Sequence, residues 1–461
     1  MERSPVIPGR IAENVTSPSN PREHYAVYLP SSYSPDRRWP LLLLMDPRGK
    51  ALIPMERVRE VAERLGYLVM SSYNTRSDEY QDPNADALNA MIADAQQQYA
   101  VDPHRLYLVG QSGTARASWI YGYGLRGNVA GLIGFGAALP EGFVLTPRAE
   151  GSPPPLVFFG AAGTTDYNFD EMWSMDTTLD RVNLPHRVTF FDGPHTWPPA
   201  ATLTEGVEWA ELQAMKYGLK PADTAWIETS LAREFGRAAD LLQAGDVYHA
   251  WQRYRGIVSD YTGLGDVRVA RDQLERLERD PALKRIRQRL ADNVEREQQY
   301  NAHLASFLGD FRESEPPPLE KSLKRVQLEE LRRRAADPAD SVTSQAAQRG
   351  LANLWVYASF YEPMDYLAKG DPRRALAILD VAQAMRPADG DVCFFQARAL
   401  ARLGREGEAI GAVECAVRGG VDPDRLVQTP DLAVLRSEPA YQALLARVRG
   451  RRPPRSPASG G

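Results

Sequence analysis

The sequence contains very little cysteine. Only two of its 461 residues are cysteines, Cys393 and Cys415, which is too few for a disulfide framework. No group of Cys and His residues has the spacing of zinc ligands. Both cysteines fall at core positions of predicted helices, so we expect small buried side chains rather than redox-active thiols.

Long apolar runs and an excess of positive charge are also missing. The longest aliphatic run covers residues 41–45, whereas a helix that crosses a bilayer needs about 20 apolar residues. Lys and Arg number 55 against 60 Asp and Glu, which gives a formal charge of -5. We therefore expect neither a membrane nor a nucleic acid as partner. The N-terminal residues do not resemble a signal peptide, which predicts a cytoplasmic protein, or an exported one if the chain was trimmed at a cleavage site.

The character of the sequence changes near residue 220. Before it, apolar runs of strand length alternate with helical segments; after it, nearly every segment has helical periodicity. The predicted strands are residues 24–29, 39–45, 66–71, 105–109, 129–134, 156–159 and 187–191. Continuous apolar strands separated by helices indicate the α/β class, with a mostly parallel sheet covered by helices and an all-α region after it.

The helical region contains a weak internal repeat. A Gly is followed five residues later by an Ala at three places, which are Gly245/Ala250, Gly370/Ala375 and Gly404/Ala409. The last two lie 34 residues apart, and this spacing resembles tetratricopeptide helix pairs, which implies a possible protein partner. The predicted organisation is an N-terminal arm (1–20), an α/β domain (21–220), a helical linker region (221–345), a tetratricopeptide-like domain (346–450) and a disordered tail (451–461).

The sharpest local motif is the sequence Leu-Tyr-Leu-Val-Gly-Gln-Ser-Gly-Thr at residues 106–114. A buried strand ends there and a helical segment begins at once, as in a nucleophile elbow. That turn is so tight that the residue two positions before the nucleophile, here Gly110, must lack a side chain. We predict Ser112 as the nucleophile, although Thr114 replaces the last Gly of G-x-S-x-G. The alternative is an ordinary Gly-Ser-Gly turn.

A serine hydroxyl needs a base, which in this chain order follows the nucleophile. Of the six histidines, His24 and His104 precede Ser112, and His249 and His303 lie in the helical region. His186 lies at the wrong end of the last predicted strand. His195 remains, on the loop just after that strand, and we predict it as the base. The alternative is a solvent-exposed loop histidine.

The other site residues are predicted from strand ends, where reactive groups of parallel sheets gather. Asp166 follows strand 156–159 and is the predicted acid, in competition with Asp170, Asp176 and Asp192 or as a simple helix cap. The oxyanion donors should be the N–H of Gly113 and that of Arg48 or Gly49, since Pro47 has none. That second loop could equally be a turn with no role. Weaker candidates for substrate contacts are Tyr73, Asn74, Gln111 and Trp197, the last of which could equally brace its loop.

Together these motifs resemble the α/β-hydrolase fold over about residues 20–220, and within it the polyhydroxybutyrate depolymerase-like and feruloyl-esterase-like branch. The match lies in residues 25–30, in Asp-Pro-Arg-Gly at 46–49, in the elbow, and in Gly-x-His-x-Trp-Pro at 193–198. The resemblance implies ester hydrolysis by Ser112, Asp166 and His195 without metal or organic cofactor. Two alternatives stay open, a serine peptidase with the same triad and a non-catalytic tetratricopeptide scaffold carrying a relic hydrolase domain.

Overall fold

The protein folds into two compact units, here called the sheet unit (residues 1–292) and the helical unit (residues 293–461). The structure is a computed structural model that describes residues 6–77, 83–125, 127–146, 155–338 and 340–450, with side chains to residue 446. The predicted disordered tail, 451–461, lies outside the described residues.

The sheet unit is built on one eight-stranded sheet in the described part of the chain. Its strands are β1 (Ile11–Thr16), β2 (His24–Tyr28), β3 (Trp39–Met45), β4 (Leu68–Ser72), β5 (Val101–Gln111), β6 (Val129–Phe135), β7 (Val157–Gly163) and β8 (His186–Phe191). The spatial order is β1-β2-β4-β3-β5-β6-β7-β8, and every neighbouring pair from β4 to β8 is parallel. The prediction of a mostly parallel sheet is therefore confirmed.

Strand β1 corrects the prediction of an N-terminal arm over residues 1–20. It pairs antiparallel with β2, which in turn pairs antiparallel with β4. The sequence of β1, Ile-Ala-Glu-Asn-Val-Thr, is polar and half-exposed because it forms an edge of the sheet. An edge strand lacks the continuous apolar run by which the central strands were predicted.

Helices cover both faces of the sheet. The sheet unit contains α1 (Leu52–Leu65), α2 (Asn84–Gln98), α3 (Gly113–Gly124), α4 (Phe169–Arg181), α5 (Ala200–Lys216), α6 (Thr224–Gln243), α7 (Val247–Tyr261) and α8 (Arg268–Arg279). Along β3, Leu42 and Leu44 pack with α1 and α5, whereas Leu41 and Leu43 pack with α2, α3 and α4. Because both faces are buried, polar side chains can collect only where the strands end.

Helices α6, α7 and α8 belong to the sheet unit, so the compact unit extends beyond the predicted boundary at residue 220 to Asp292. They share an apolar cluster with Leu212 and Met215 of α5, and the mostly buried Arg187 of β8 also binds α6 and α7. Its guanidinium lies 2.6 Å from Asp260 of α7, 3.3 Å from Glu205 of α5 and 3.5 Å from Glu234 of α6. A change of hydrophobic period in the sequence does not reveal such contacts, which explains the difference.

The helical unit is all-helical in its described residues, as predicted. From the helix in which the boundary falls, the helices are α9 (Pro281–Glu313), α10 (Leu319–Arg325), α11 (Leu328–Ala335), α12 (Ser341–Val356), α13 (Glu362–Ala368), α14 (Pro372–Met385), α15 (Gly390–Arg402), α16 (Glu406–Arg418), α17 (Pro423–Gln428) and α18 (Pro439–Gly450). A π-helical turn covers Tyr357–Tyr361, and a 3-10 segment covers Pro430–Ser437.

The repeated Gly and Ala positions have equivalent places in the helical unit. Gly370 follows α13 with φ +77°, and Gly404 follows α15 with φ +70°, a left-handed conformation that suits the end of a helix. Ala375 and Ala409 are both fully buried on the helices that come next. The repeat in the sequence thus corresponds to a repeated turn and a repeated close helix contact.

The two cysteines are bonded to each other, which the expectation of small buried side chains did not include. Cys393 of α15 and Cys415 of α16 form a disulfide, with their Cα atoms 5.7 Å apart. Pairing of neighbouring helices brings the two residues within the 4.4–6.8 Å usual for such bonds. Their separation of 22 residues did not reveal this, because it depends on how α15 and α16 pack.

The search for membrane spans gave a negative result. In the described part of the chain, every helix is too short or too polar to cross a bilayer.

Candidate active site

The candidate nucleophile Ser112 stands between the end of β5 and the start of α3. Its backbone has φ 57° and ψ -131°, a conformation that a non-glycine residue rarely adopts. The Ser112 N–H donates to the carbonyl of Phe135, the last residue of β6, at 2.8 Å. The side chain is partly exposed at the carboxyl ends of the parallel strands. The elbow geometry expected from the sequence is present.

The two neighbours that shape the elbow behave differently. A Cβ on Gly110 would lie 2.6 Å from the carbonyl atoms of Thr114, so this position must be glycine, as predicted. Thr114 itself is fully buried, and its hydroxyl donates to the carbonyl of Met45 at 2.6 Å. The same oxygen accepts the N–H of Gln111 at 3.1 Å. The hydroxyl that replaces the usual glycine is therefore fully bonded and ties the elbow to β3.

Gly113 is the first residue of α3, so its N–H has no acceptor within that helix. Helix N-termini also carry partial positive charge, which favours an anion. A Cβ on Gly113 would collide with the Cβ of Ser77, which lies directly against it. The N–H of Gly113 thus lies at a helix N-terminus beside Ser112, and its role as oxyanion donor stays a prediction.

Asp166 and His195 are brought together. The Nδ1 of His195 lies 2.8 Å from Oδ1 of Asp166, which also accepts the N–H of Asn168 at 2.9 Å. Asp166 is completely buried, and the imidazole is 15% exposed. Because Nδ1 faces the carboxylate, Nε2 is the nitrogen that remains to exchange a proton with a hydroxyl.

Backbone contacts between two loops produce this pairing. The N–H of Thr165 donates to the carbonyl of Gly193 at 2.9 Å, which joins the loop after β7 to the loop after β8. A side chain on Gly163 would collide with that same carbonyl. The lack of a side chain at Gly163 therefore lets the two backbones approach closely enough for Asp166 and His195 to meet.

Gly136 connects the pair with the nucleophile. It follows Phe135, whose carbonyl holds the N–H of Ser112. A Cβ on Gly136 would lie 2.8 Å from Oδ2 of Asp166 and 3.1 Å from Nδ1 of His195. Two consecutive residues thus contact the elbow and the Asp–His pair, which places all three candidate side chains at one edge of the sheet.

Tyr167 is a neighbour of the base that the sequence analysis missed. Its ring stacks on the imidazole of His195, with centroids 4.2 Å apart and planes inclined by 31°. The ring restricts rotation of the imidazole, and an aromatic face favours a nearby cation. Its position directly after Asp166 is the only signal in the sequence that could have suggested it.

The predicted second oxyanion donor is corrected. The N–H of Arg48 donates to Oδ1 of Asp46 at 2.8 Å, and the N–H of Gly49 donates to the carbonyl of Asp46 at 3.1 Å. Both groups close the turn after β3 on itself, so neither points to an oxyanion in this structure. The sequence could not show that the side chain and the carbonyl of Asp46 take up these two donors.

The weaker substrate candidates lie near the site in mostly structural roles. The amide of Asn74 accepts the N–H of His24 at 2.9 Å and donates to a backbone carbonyl, which fixes the start of β2. Buried Trp197 donates its indole N–H to Asp46 at 2.7 Å and braces the loop of His195. Gln111 is buried at the end of β5. Tyr73 is half-buried after β4, and burial, with a smaller effect of Glu13, raises its pKa.

One group of three side chains in the described residues has the composition of a metal site. Ligand atoms of Asp176, Asp180 and His186 lie within 4.8 Å of one another. The guanidinium of Arg255 already lies 2.7 Å from Asp176 and 3.6 Å from Asp180. We therefore interpret the group as an ion-pair cluster with its own internal cation.

Comparison with known proteins gives similarity of structure alone. No protein-family model matches the chain, and no curated protein matches it. The serine hydrolase FphF of Staphylococcus aureus, with substrate bound, is 12% identical with a TM-score of 0.35, over 44% of this chain and 98% of that one. A ferulic acid esterase is 14% identical with a TM-score of 0.36, over 44% and 98%. Thermogutta terrifontis esterase 2 is 16% identical with a TM-score of 0.34, over 48% and 100%. At these values the similarity carries no argument about activity.

Proposed function

We propose that this protein is a serine hydrolase of the α/β-hydrolase type that cleaves carboxylic esters through an acyl-serine intermediate. The observation that carries the proposal is the hydrogen bond between His195 and buried Asp166. Gly136 lies against this pair, and Phe135, the residue before it, accepts the N–H of Ser112. A base oriented by a carboxylate beside an elbow serine is the arrangement that activates a hydroxyl.

In the proposed reaction, Nε2 of His195 takes the proton of Ser112 as the serine oxygen bonds to the ester carbonyl carbon. The N–H of Gly113 donates to the resulting oxyanion. His195 then gives its proton to the alkoxide leaving group, and the C–O bond of the ester breaks. Water repeats the attack on the acyl-serine, which releases the acid and restores the serine. Asp166 stays ionised and stabilises the imidazolium in both halves.

The proposal is tested with a fluorophosphonate probe and a p-nitrophenyl ester on the full chain. We expect Ser112→Ala to abolish labelling, and both Ser112→Ala and His195→Ala to lower kcat by roughly 10⁴-fold or more without unfolding the chain. Ser32→Ala and His249→Ala are the matched controls, because both residues are exposed and lie away from the strand ends that form the site. They should keep wild-type rates.

The outcomes also separate the alternatives. An unlabelled wild-type chain would favour the non-catalytic scaffold, and labelling that persists in Ser112→Ala would mean another nucleophile. A peptide substrate cleaved with higher kcat/KM than any ester would favour the serine peptidase. Full activity in His195→Ala would show that the base is misassigned.

For the rest of the chain we propose that residues 346–450 are tetratricopeptide-like and bind a protein partner. The support is the equivalent placement of Gly370 with Gly404 and of Ala375 with Ala409. The disulfide between Cys393 and Cys415 bears on location, since such bonds are rare in the cytosol. It favours the exported alternative over the cytoplasmic one, and the oxidation state of these cysteines in protein from its own cells would distinguish them.

A further inference from the structure

Asp46 is a buried carboxylate that joins two parts of the candidate active site. It follows β3 directly and is 3% exposed. Its Oδ1 accepts the N–H groups of Arg48 and Lys50, both at 2.8 Å, and so closes the turn after β3. Its Oδ2 accepts the indole N–H of Trp197 at 2.7 Å, two residues after the candidate base.

The hydrogen-bond partners of Asp46 are all neutral. Among the described residues, its carboxylate is hydrogen-bonded to two backbone N–H groups and to the indole. Burying a carboxylate without an opposite charge is unfavourable unless hydrogen bonds satisfy it, and three N–H donors do so here. The position of these donors therefore accounts for the side chain.

Trp197, which donates its indole N–H to Asp46, also fixes the loop that carries His195. The indole packs against Phe135 with ring centroids 5.8 Å apart, and Phe135 is the residue whose carbonyl holds the N–H of Ser112. The guanidinium of Arg57, from α1, donates to the carbonyls of Trp197 and Pro198. The loop is thus held by Asp166 through the imidazole and by Asp46 through the indole.

We propose that Asp46 is a positioning residue for His195, acting through Trp197. This inference rests on the proposed function. The hydrogen bond between Asp46 and Trp197 fixes the position of the loop that carries His195 relative to the elbow, so that in the proposed reaction Nε2 of His195 reaches the hydroxyl of Ser112. Small displacements of a reacting group lower its rate strongly, so the loss of one contact that holds this loop should be measurable as a decrease in kcat.

A double-mutant cycle on kcat tests the inference, with Asp46→Asn, Trp197→Phe and the double variant. Trp197→Phe keeps an aromatic ring and removes only the N–H donor. We expect each single variant to lower kcat about 10- to 100-fold, with KM changed less than twofold. The double variant should lose no more than Asp46→Asn alone, because both substitutions break one contact. Rates are expressed per site that the fluorophosphonate probe labels, so that unfolded protein does not contribute.

Trp209→Phe is the matched control. Trp209 lies buried on α5, and its indole N–H has no acceptor among the described residues. The same substitution there changes packing without removing a hydrogen bond, so kcat should stay at the wild-type value. Wild-type kcat per labelled site in Trp197→Phe would overturn the inference, as would additive losses in the double variant. A wild-type chain that does not label at all would instead overturn the proposed function.

Discussion

At the scale of single residues, the position of the candidate base His195 depends on Gly136, a neighbour that has no side chain. Gly136 has φ +63° and contacts both Asp166 and His195. Any side chain there would push the imidazole or the carboxylate out of place.

We predict that Gly136→Ala lowers kcat by about 100-fold, because the new methyl group displaces His195 from Asp166. Gly142→Ala is the control. Gly142 has a similar φ of +71°, but a Cβ there meets nothing within 4 Å. Both variants should lose some melting temperature because of the positive φ, and Gly136→Ala should lose more because of the collision. Only Gly136→Ala should lose turnover of a p-nitrophenyl ester at a temperature where both are folded. Equal activity of the two variants would contradict the assigned contact.

The sequence reached some of these residues and not others. Ser112, Asp166 and His195 follow from strand ends and chain order, and the structure places Asp166 and His195 in contact. Gly136 and Tyr167 carry no motif, because their roles arise only when loops from different strands meet. The donors expected in the turn after β3 were wrong because Asp46 binds both of them, that of Arg48 with its side chain and that of Gly49 with its carbonyl.

At the scale of elements, His186 at the start of β8 joins α4 and α7. Its Nδ1 lies 2.7 Å from the carbonyl of Leu184, and its Nε2 lies 3.2 Å from Asp176 of α4. Arg255 of α7 binds the same Asp176 at 2.7 Å, and Asp180 lies 3.8 Å from Nε2. Two cations thus share one carboxylate at the place where the three elements meet.

Burial alone would lower the pKa of His186, but the hydrogen bonds to Asp176 and Leu184 and the charges of Asp176 and Asp180 outweigh it and raise that pKa. For Asp176, burial opposes the shift, while His186 and Arg255 lower the pKa to about 2. A raised histidine pKa stabilises the fold fully below the unfolded value of about 6.5, and the contribution is lost as pH rises through the folded value. The carboxylate contribution is lost only as pH falls from about 4 towards 2.

We therefore predict that the free energy of unfolding falls as pH rises from 6 to 9, and that His186→Gln removes most of this decrease. Glutamine keeps a donor towards Asp176 but does not titrate in this range. His104→Gln, at an exposed position on β5, should show the same pH dependence as the wild type. Urea unfolding at several pH values measures the effect. An unchanged slope in His186→Gln would mean that other groups cause it.

The arrangement of the elements was largely predictable where strands are central and apolar. The order of strands and helices from β2 to α5 follows from continuous apolar runs between turns. Strand β1 was not predictable, because its polar edge sequence resembles a loop. The attachment of α6 and α7 was not predictable either, because apolar periodicity does not say which neighbour a helix packs against. Here the contact combines an apolar cluster with α5 and the ion pairs of Arg187.

At the scale of the whole molecule, the disulfide and the candidate site belong to different units. Cys393 and Cys415 lie in the helical unit, while Ser112, Asp166 and His195 lie in the sheet unit. A bond that closes a loop of this length stabilises a fold by about 3 kcal/mol in the chain-entropy account. Loss of the disulfide should therefore destabilise the helical unit and leave the chemistry of the sheet unit unchanged.

We predict that a reducing agent, or the double variant Cys393→Ala/Cys415→Ala, lowers the melting temperature of the helical unit and leaves kcat and KM for an ester unchanged. Calorimetry with and without reductant measures the first part, and assays below the melting temperature measure the second. Reductant should have no further effect on the double variant, which is the control. Loss of turnover on reduction would show that the bond matters beyond its own unit.

The backbone of Ser112 has a final consequence for the molecule as a whole. A serine at φ 57° and ψ -131° raises the free energy of the native state by roughly 1–3 kcal/mol relative to relaxed backbone. Glycine adopts these angles freely, so a chain with Ser112→Gly would be inactive and yet more resistant to heat than the natural one. Under the proposed function, the demand for turnover keeps serine at this position, and a lineage freed from that demand would gain stability by losing the activity.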